Sequence, residues 1–257
     1  MVKQLFDDDE RNREREVDLQ DMAIIRTPED QIEHDHGITN YDFNAYVSRK
    51  IGYRRKIKDS RDAQCEAITY SVGKSDAASI IIVYFNEEPH VLIRMINSIL
   101  DRTPDHLIHE ILLIDDCSDL EERKPEMIVE YKQQYWSDKI RLLKTSKNEG
   151  LIRAKIFGAH KATGSNLVFL DSHCEVNIKW LEPLLERIKL DHKKVVCPII
   201  DIIKSDTFEY VTSPICTGGF DFNLNFKWDY PVRSYLEKAE NRIKELKSPT
   251  MAGGLFG

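Results

Sequence analysis

The chain has 257 residues, 41% of them hydrophobic and 32% charged, with a formal net charge of -7. That balance suits one large soluble α/β domain with a flanking arm. It argues against a polyanion-binding surface, so nucleic acid is not expected as a partner and any nucleotide should be a small one held by metal and backbone groups. No run approaches the ~18 apolar residues of a membrane span, and the charged start from Met1 to Asp21 has no apolar signal segment, so neither a membrane span nor a signal anchor is expected.

Residues 1–33 are charged and weakly periodic and read as a solvated arm, part helix and part disorder. Residues 34–75 carry Arg, Lys and the scattered aromatics Tyr41, Phe43, Tyr46 and Tyr53, the composition of a strap that wraps a core without forming one. The main domain is expected over 76–257. Ser79 to Phe85 is a continuous β-branched and aromatic run, suited to a strand covered on both faces. Val91, Leu92, Met95, Ile96, Ile99 and Leu100 then recur at helical spacing until Pro104, and Ile111 to Ile114 forms a second buried strand ending in Asp115-Asp116. The pattern next predicts a helix over Leu120 to Trp136, a strand over Ile140 to Lys144, a helix over Leu151 to Ala162 opened by Gly150, and a strand over Asn166 to Leu170. Leu181, Leu184, Leu185 and Ile188 mark a further helix, and Val195 to Ile203 a further strand. Such alternation predicts a doubly wound, mostly parallel α/β sheet. From Thr207 onward the chain is aromatic and glycine-punctuated, which predicts hairpins and loops. Five cysteines (Cys65, Cys117, Cys174, Cys197 and Cys216) leave at least one unpaired, and none has C-x-x-C spacing.

In an open α/β sheet, ligands bind outside the carboxyl ends of the strands, where this sequence places Asp115, Asp116, Asp171 and His173. Side chains at i and i+2 of an extended segment point the same way, so Asp171 and His173 can share one cation while Ser172 faces elsewhere. A carboxylate oxygen with an imidazole nitrogen suits a divalent ion such as Mn, and a diphosphate leaving group needs such an ion. Taken alone, a D-x-H serves equally well as the polar end of a buried strand. Asp115 and Asp116 could be helix caps, but Ser118 and Asp119 are better placed to cap the next helix, which leaves Asp116 to contact a nucleoside. Asn86 and Glu87 either order the first turn of the following helix or meet a ligand, with Glu88 favoured by the helix dipole. The absence of G-x-G-x-x-G, of a P-loop and of G-x-S-x-G weighs against dinucleotide, P-loop and serine-hydrolase chemistry.

These residues resemble the polypeptide N-acetylgalactosaminyltransferases, Golgi enzymes that begin mucin-type O-glycosylation. The resemblance rests on Asn86-Glu87, Glu110 to Asp116 (EILLIDD), Glu149 to Arg153 (EGLIR), Asp171 to Glu175 (DSHCE), Trp180 to Glu186 (WLEPLLE), Phe226 to Asp229 (FKWD) and Thr250 to Phe256 (TMAGGLF). It covers about residues 34 to 257. It implies a GT-A nucleotide-diphospho-sugar fold, UDP-GalNAc as donor, Mn as cofactor, a Ser/Thr polypeptide as acceptor, retention of configuration and a Golgi-luminal setting. By position it implies Asp171 and His173 as metal ligands, Ser172 against the donor, Asp116 on the nucleoside and Gly253-Gly254 lining the sugar pocket. Two positions depart from the pattern: Val83 stands where a donor-contacting Thr is usual, and Asn148 where an Arg touching the uridine diphosphate is usual. The family's W-G-G-E-N segment, its third metal ligand, its lectin domain and the cysteine that would pair with Cys65 lie outside the sequence. The chain therefore reads as a C-terminally incomplete catalytic domain with no catalytic residue assigned within it. The competing expectation is a non-catalytic relative that keeps the fold and serves as a nucleotide-binding, metal-binding or interaction protein.

Overall fold

The computed structural model describes residues 18–119 and 125–257. A short helix α1 (Leu19–Met22) precedes α2 (Pro28–Tyr41) and α3 (Ala45–Ile51). The Thr27 hydroxyl accepts from the Asp30 N–H at 3.1 Å, the Asp30 carboxylate accepts from the Thr27 N–H at 3.1 Å, and Pro28 sits pre-set at the start of the helix. This reciprocal cap carries α2 straight through position 33, where the composition suggested that an arm gives way to a strap. Helix α3 buries Ala45, Tyr46, Val47 and Ile51, and the coil after it sends Arg54 and Arg55 inward.

The main sheet is parallel, with strands β1 (Ala78–Tyr84), β2 (Ile108–Asp115), β3 (Ile140–Lys144) and β4 (Asn166–Asp171) in the order β3-β2-β1-β4. The central pair β1 and β2 is buried almost throughout, which is why both read as unbroken apolar runs. Helices α4 (Pro89–Arg102), α5 (Pro125–Tyr135) and α6 (Leu151–Lys161) connect the strands. Of the helix expected over 120–136, residues 120–124 lie outside the described residues. Ile80 and Ile82 face Leu92, Met95 and Ile96 of α4 and Ile128 and Tyr131 of α5; the intervening Ile81 and Val83 face Ala154 and Phe157 of α6. The sheet is thus covered on both faces, as a doubly wound fold requires. Gly158 of α6 permits the close approach, since a Cβ there would come within 2.6 Å of Ile81 Cγ2.

After β4 the chain forms α7 (Glu182–Leu190), the antiparallel pair β5 (Ile202–Ile203) and β6 (Tyr210–Val211), the hairpin β7 (Thr217–Phe220) and β8 (Phe226–Asp229), and α8 (Arg233–Leu236). The long strand expected over Val195 to Ile203 is reduced to Ile202–Ile203. Among the described residues the apolar ones before it have no strand alongside; Val196 exchanges both backbone hydrogen bonds with Gly257 at 2.9 Å instead. The segment ending in Gly257 also lies against β4, with Phe169 N–H donating to Phe256 O at 2.7 Å and the two rings stacked 4.7 Å apart. Five free thiols are present, and no helix among the described residues is long and apolar enough to cross a membrane.

Candidate metal and donor site

The order β3-β2-β1-β4 reverses between β1 and β4, so the loops at Phe85–Glu88 and Asp171–Glu175 face each other across a topological switch point. Strand β4 ends at Asp171, and Ser172 and His173 lie in the turn beyond it rather than in extended backbone. What aims them is Glu87. Its Oε2 accepts from Ser172 Oγ at 2.8 Å and faces His173 Nδ1 at 3.1 Å. Burial works against the ionised Glu87, yet the bonds from His173 and Ser172 hold its carboxyl below the ordinary value. The same bond from Glu87 raises His173 above its ordinary value against the opposing pull of burial, with the charge of Asp171 adding to it. In the neutral imidazole, a carboxylate on Nδ1 favours the proton there and leaves Nε2 with its lone pair free. Sequence reasoning left Glu87 divided between helix and ligand; Glu88 takes the cap, accepting from Val91 N–H at 3.1 Å and facing His90 Nδ1 at 2.9 Å, while Glu87 Oε1 accepts from the Glu88 N–H at 3.0 Å.

Two residues further on, the buried Glu175 receives Arg55 through two bonds of 2.8 Å and Arg94 Nε at 3.0 Å. Burial would push this carboxyl up, but the two guanidinium groups bring it down to about 2. Arg94 also donates to Ser48 O, Gly52 O and Ser48 Oγ, so the loop bearing His173 is bolted to α3 and the coil behind it. Burial, with Asp171 nearby, pushes the Cys174 thiol up to about 12, and the side chain packs against the main apolar core.

At the end of β2, the Asp116 carboxylate accepts from Thr145 Oγ1 at 3.0 Å and from the N–H groups of Glu149 and Gly150 at 3.0 and 2.8 Å. It is only 2% exposed, so its visible work is to hold the loop that opens α6. Asn148, exposed on that loop, donates to Asp116 O at 3.2 Å. Asp115 accepts from Ser118 N–H at 2.7 Å and pairs with Lys144 at 3.0 Å. Ser118 and Asp119 do not cap α5, which begins at Pro125. They bind Asn86 instead: Ser118 Oγ accepts from its N–H at 2.9 Å and Asp119 Oδ1 from its Nδ2 at 2.8 Å. Asn86 adopts a left-handed conformation that Asn tolerates well. Val83 pairs in register with Asp171, but its side chain is 6% exposed and packs in the apolar cluster with Ile81, Ile114 and Ala154.

Gly254 comes up against Asp171. A Cβ on Gly254 would overlap Asp171 Oδ2, so only glycine allows the backbone this close. The ammonium of Lys155, from α6, donates to Gly253 O at 2.8 Å and Gly254 O at 3.1 Å and stands 3.5 Å from Asp171 Oδ1. Asp171 can therefore accommodate positive charge on one side. Together with the lone pair of His173 Nε2, it offers a cation one hard oxygen and one nitrogen donor, a set that fits a divalent ion such as Mn with the remaining positions left to a diphosphate or water. Among the described residues no cluster of three or more His, Cys, Asp and Glu has metal-holding geometry.

The glycosyl transferase family 2 model matches residues 79–256. Polypeptide N-acetylgalactosaminyltransferase 11 of Xenopus tropicalis is 45% identical over 236 residues, which is 92% of this chain and 39% of that protein. The inactive polypeptide N-acetylgalactosaminyltransferase-like protein 5 of Mus musculus is 42% identical over 241 residues, 94% of this chain and 53% of that protein. The crystal structure of GalNAc-T7 with UDP, GalNAc and Mn2+ matches with a TM-score of 0.78 at 30% identity, covering 91% of this chain and 44% of that one. The chain thus spans about half or less of the length of these relatives.

Proposed function

The chain belongs to the polypeptide N-acetylgalactosaminyltransferases of glycosyl transferase family 2, and on that premise we propose that it binds UDP-GalNAc and Mn as the donor side of a retaining transfer to Ser or Thr of a polypeptide. The observation that carries the reading is Asp171 and His173 at the switch point, with the Glu87 carboxylate 3.1 Å from His173 Nδ1. Asp171 and His173 would hold the metal, and a divalent ion bound there would act as a Lewis acid toward the diphosphate leaving group. Ser172 would stand against the donor, with its hydroxyl oriented by Glu87. Gly253 and Gly254 would line the sugar side, and Asp116 would shape the nucleoside side through the loop it holds at Glu149 and Gly150. The setting that goes with this chemistry is the Golgi lumen.

Calorimetric titration of UDP with and without Mn tests donor binding, and a mucin-like peptide with UDP-GalNAc and Mn, read by mass, tests transfer. UDP binding that ignores Mn would refute the reading. The similarity to an inactive relative favours a second reading, a non-catalytic protein that binds nucleotide or a partner. Mn-dependent UDP binding without peptide modification is the outcome that selects it.

A further inference from the structure

We propose that Lys155 sets how strongly Asp171 and His173 hold a divalent ion, so that the ion and a nucleoside diphosphate bind as a pair rather than one after the other. The proposal rests on the metal reading given above. Its ground is the placement of one ammonium group. Lys155 Nζ is fixed by the carbonyls of Gly253 and Gly254 at 2.8 and 3.1 Å, lies 5.6 Å from the centre of the Phe256 ring and stands 3.5 Å from Asp171 Oδ1. Its side chain is 10% exposed, so the charge is poorly screened by solvent.

The positive charge of Lys155 draws on the carboxylate that would hold a metal. Asp171 brings one negative charge, Lys155 offsets it, and a ligating His173 must be neutral, so an arriving ion meets ligands of almost no net charge. Glu87 lies behind His173 and Ser172, where its charge is already engaged by their hydrogen bonds. A diphosphate changes the balance, because its negative charge can be shared by the ion and the ammonium together. Metal and nucleotide then raise each other's affinity by the same factor.

The test separates the charge of Lys155 from its hydrogen bonds. Lys155→Gln removes the charge and keeps an amide donor for the two carbonyls; Lys155→Arg keeps the charge. Mn uptake is followed by the electron paramagnetic resonance signal of free Mn, with and without UDP and corrected for Mn held by free UDP. Lys155→Gln should bind Mn alone on the order of tenfold more tightly than the unmodified chain, and the gain from UDP should shrink. Lys155→Arg should match the unmodified chain. Equal or weaker Mn uptake by a folded Lys155→Gln variant overturns the proposal and leaves the metal site standing. If Lys155→Gln does not fold, the unmodified chain decides, since Mn uptake that is equal with and without UDP also overturns the proposal. If neither protein takes up Mn even with UDP, the metal reading falls and this proposal falls with it.

Discussion

Glu87, on the loop after β1, and His173, on the turn after β4, meet at 3.1 Å and so lock together the two strand ends between which a donor would sit. Ser172 joins the same carboxylate oxygen at 2.8 Å. Glu87→Gln keeps the size of the side chain but loses the charge that fixes the imidazole tautomer. Mn affinity, measured by calorimetry in the presence of UDP, should fall about 10- to 100-fold. An unaltered affinity would show that His173 is oriented without Glu87.

Asp171→Asn should abolish the Mn enhancement of UDP binding, because a neutral amide beside Lys155 leaves His173 alone of the two proposed ligands among the described residues. Binding of UDP in the absence of metal should change little. A variant that still responds to Mn would place the ion elsewhere.

Gly254→Ala and Gly253→Ala make a matched pair. A methyl at 254 runs into Asp171 Oδ2, whereas a methyl at 253 meets nothing within 4 Å. The first variant should lose Mn-dependent UDP binding and the second should keep it. Equal effects in dialysis binding would mean that the close approach of the 254 backbone has no bearing on the proposed metal site.

Asn148→Arg should strengthen UDP binding by about 1–3 kcal/mol if the exposed loop presents the new guanidinium to phosphate. Val83→Thr should instead lower stability by about 1–2 kcal/mol, since its hydroxyl would enter the apolar cluster with Ile81, Ile114 and Ala154. Isothermal titration checks the first and urea unfolding the second. A Thr variant as stable as the unmodified chain would show that the hydroxyl finds a partner there.

Acid should weaken the fold through Glu175. Its folded value of about 2 lies below the ordinary value of 4.5, so its stabilising share is complete above pH 4.5 and is lost as the pH falls from there toward 2. A single group shifted this far accounts for roughly 3 kcal/mol. Urea midpoints at pH 6, 4.5 and 3 should drop mainly across the last interval. A flat profile down to pH 3 would contradict the Arg55–Glu175–Arg94 clamp.

What could be read from the sequence followed how local each interaction is. β1 and β2 were visible because strands covered on both faces are apolar at every position, and the polar end of β4 at Asp171 because it closes one short motif, although the turn that takes Ser172 and His173 out of extended backbone was not. Glu87 stayed ambiguous because its partner His173 lies 86 residues away, and nothing around it distinguishes a helix cap from a tether. Lys155 resembled an ordinary lysine of an amphipathic helix, since its acceptors at Gly253 and Gly254 come 98 and 99 residues later. Val195 to Ile203 had the composition of a strand, but pairing needs a neighbour, and among the described residues the backbone of Val196 bonds only to Gly257. Ser118 and Asp119 had the chemistry of caps and were claimed by Asn86 instead, through a backbone turn that side-chain spacing does not reveal.

The pairing of Phe169 with Phe256 bears on the order in which the molecule assembles. Strands β1 to β4 and their helices are built largely from neighbouring units, whereas Gly254 reaches Asp171 only after the chain has passed through α7 and both hairpins and returned to the edge of β4. Closing so long a loop costs entropy before any contact repays it, and contacts of high sequence separation form slowly. We therefore expect the sheet to be in place while the surroundings of Asp171 are still open, and a carboxylate proposed to hold metal is then exposed to any competing cation during that interval. Folding in the presence of a nucleotide would shorten it, because a ligand that binds only the closed arrangement pulls the equilibrium toward closure.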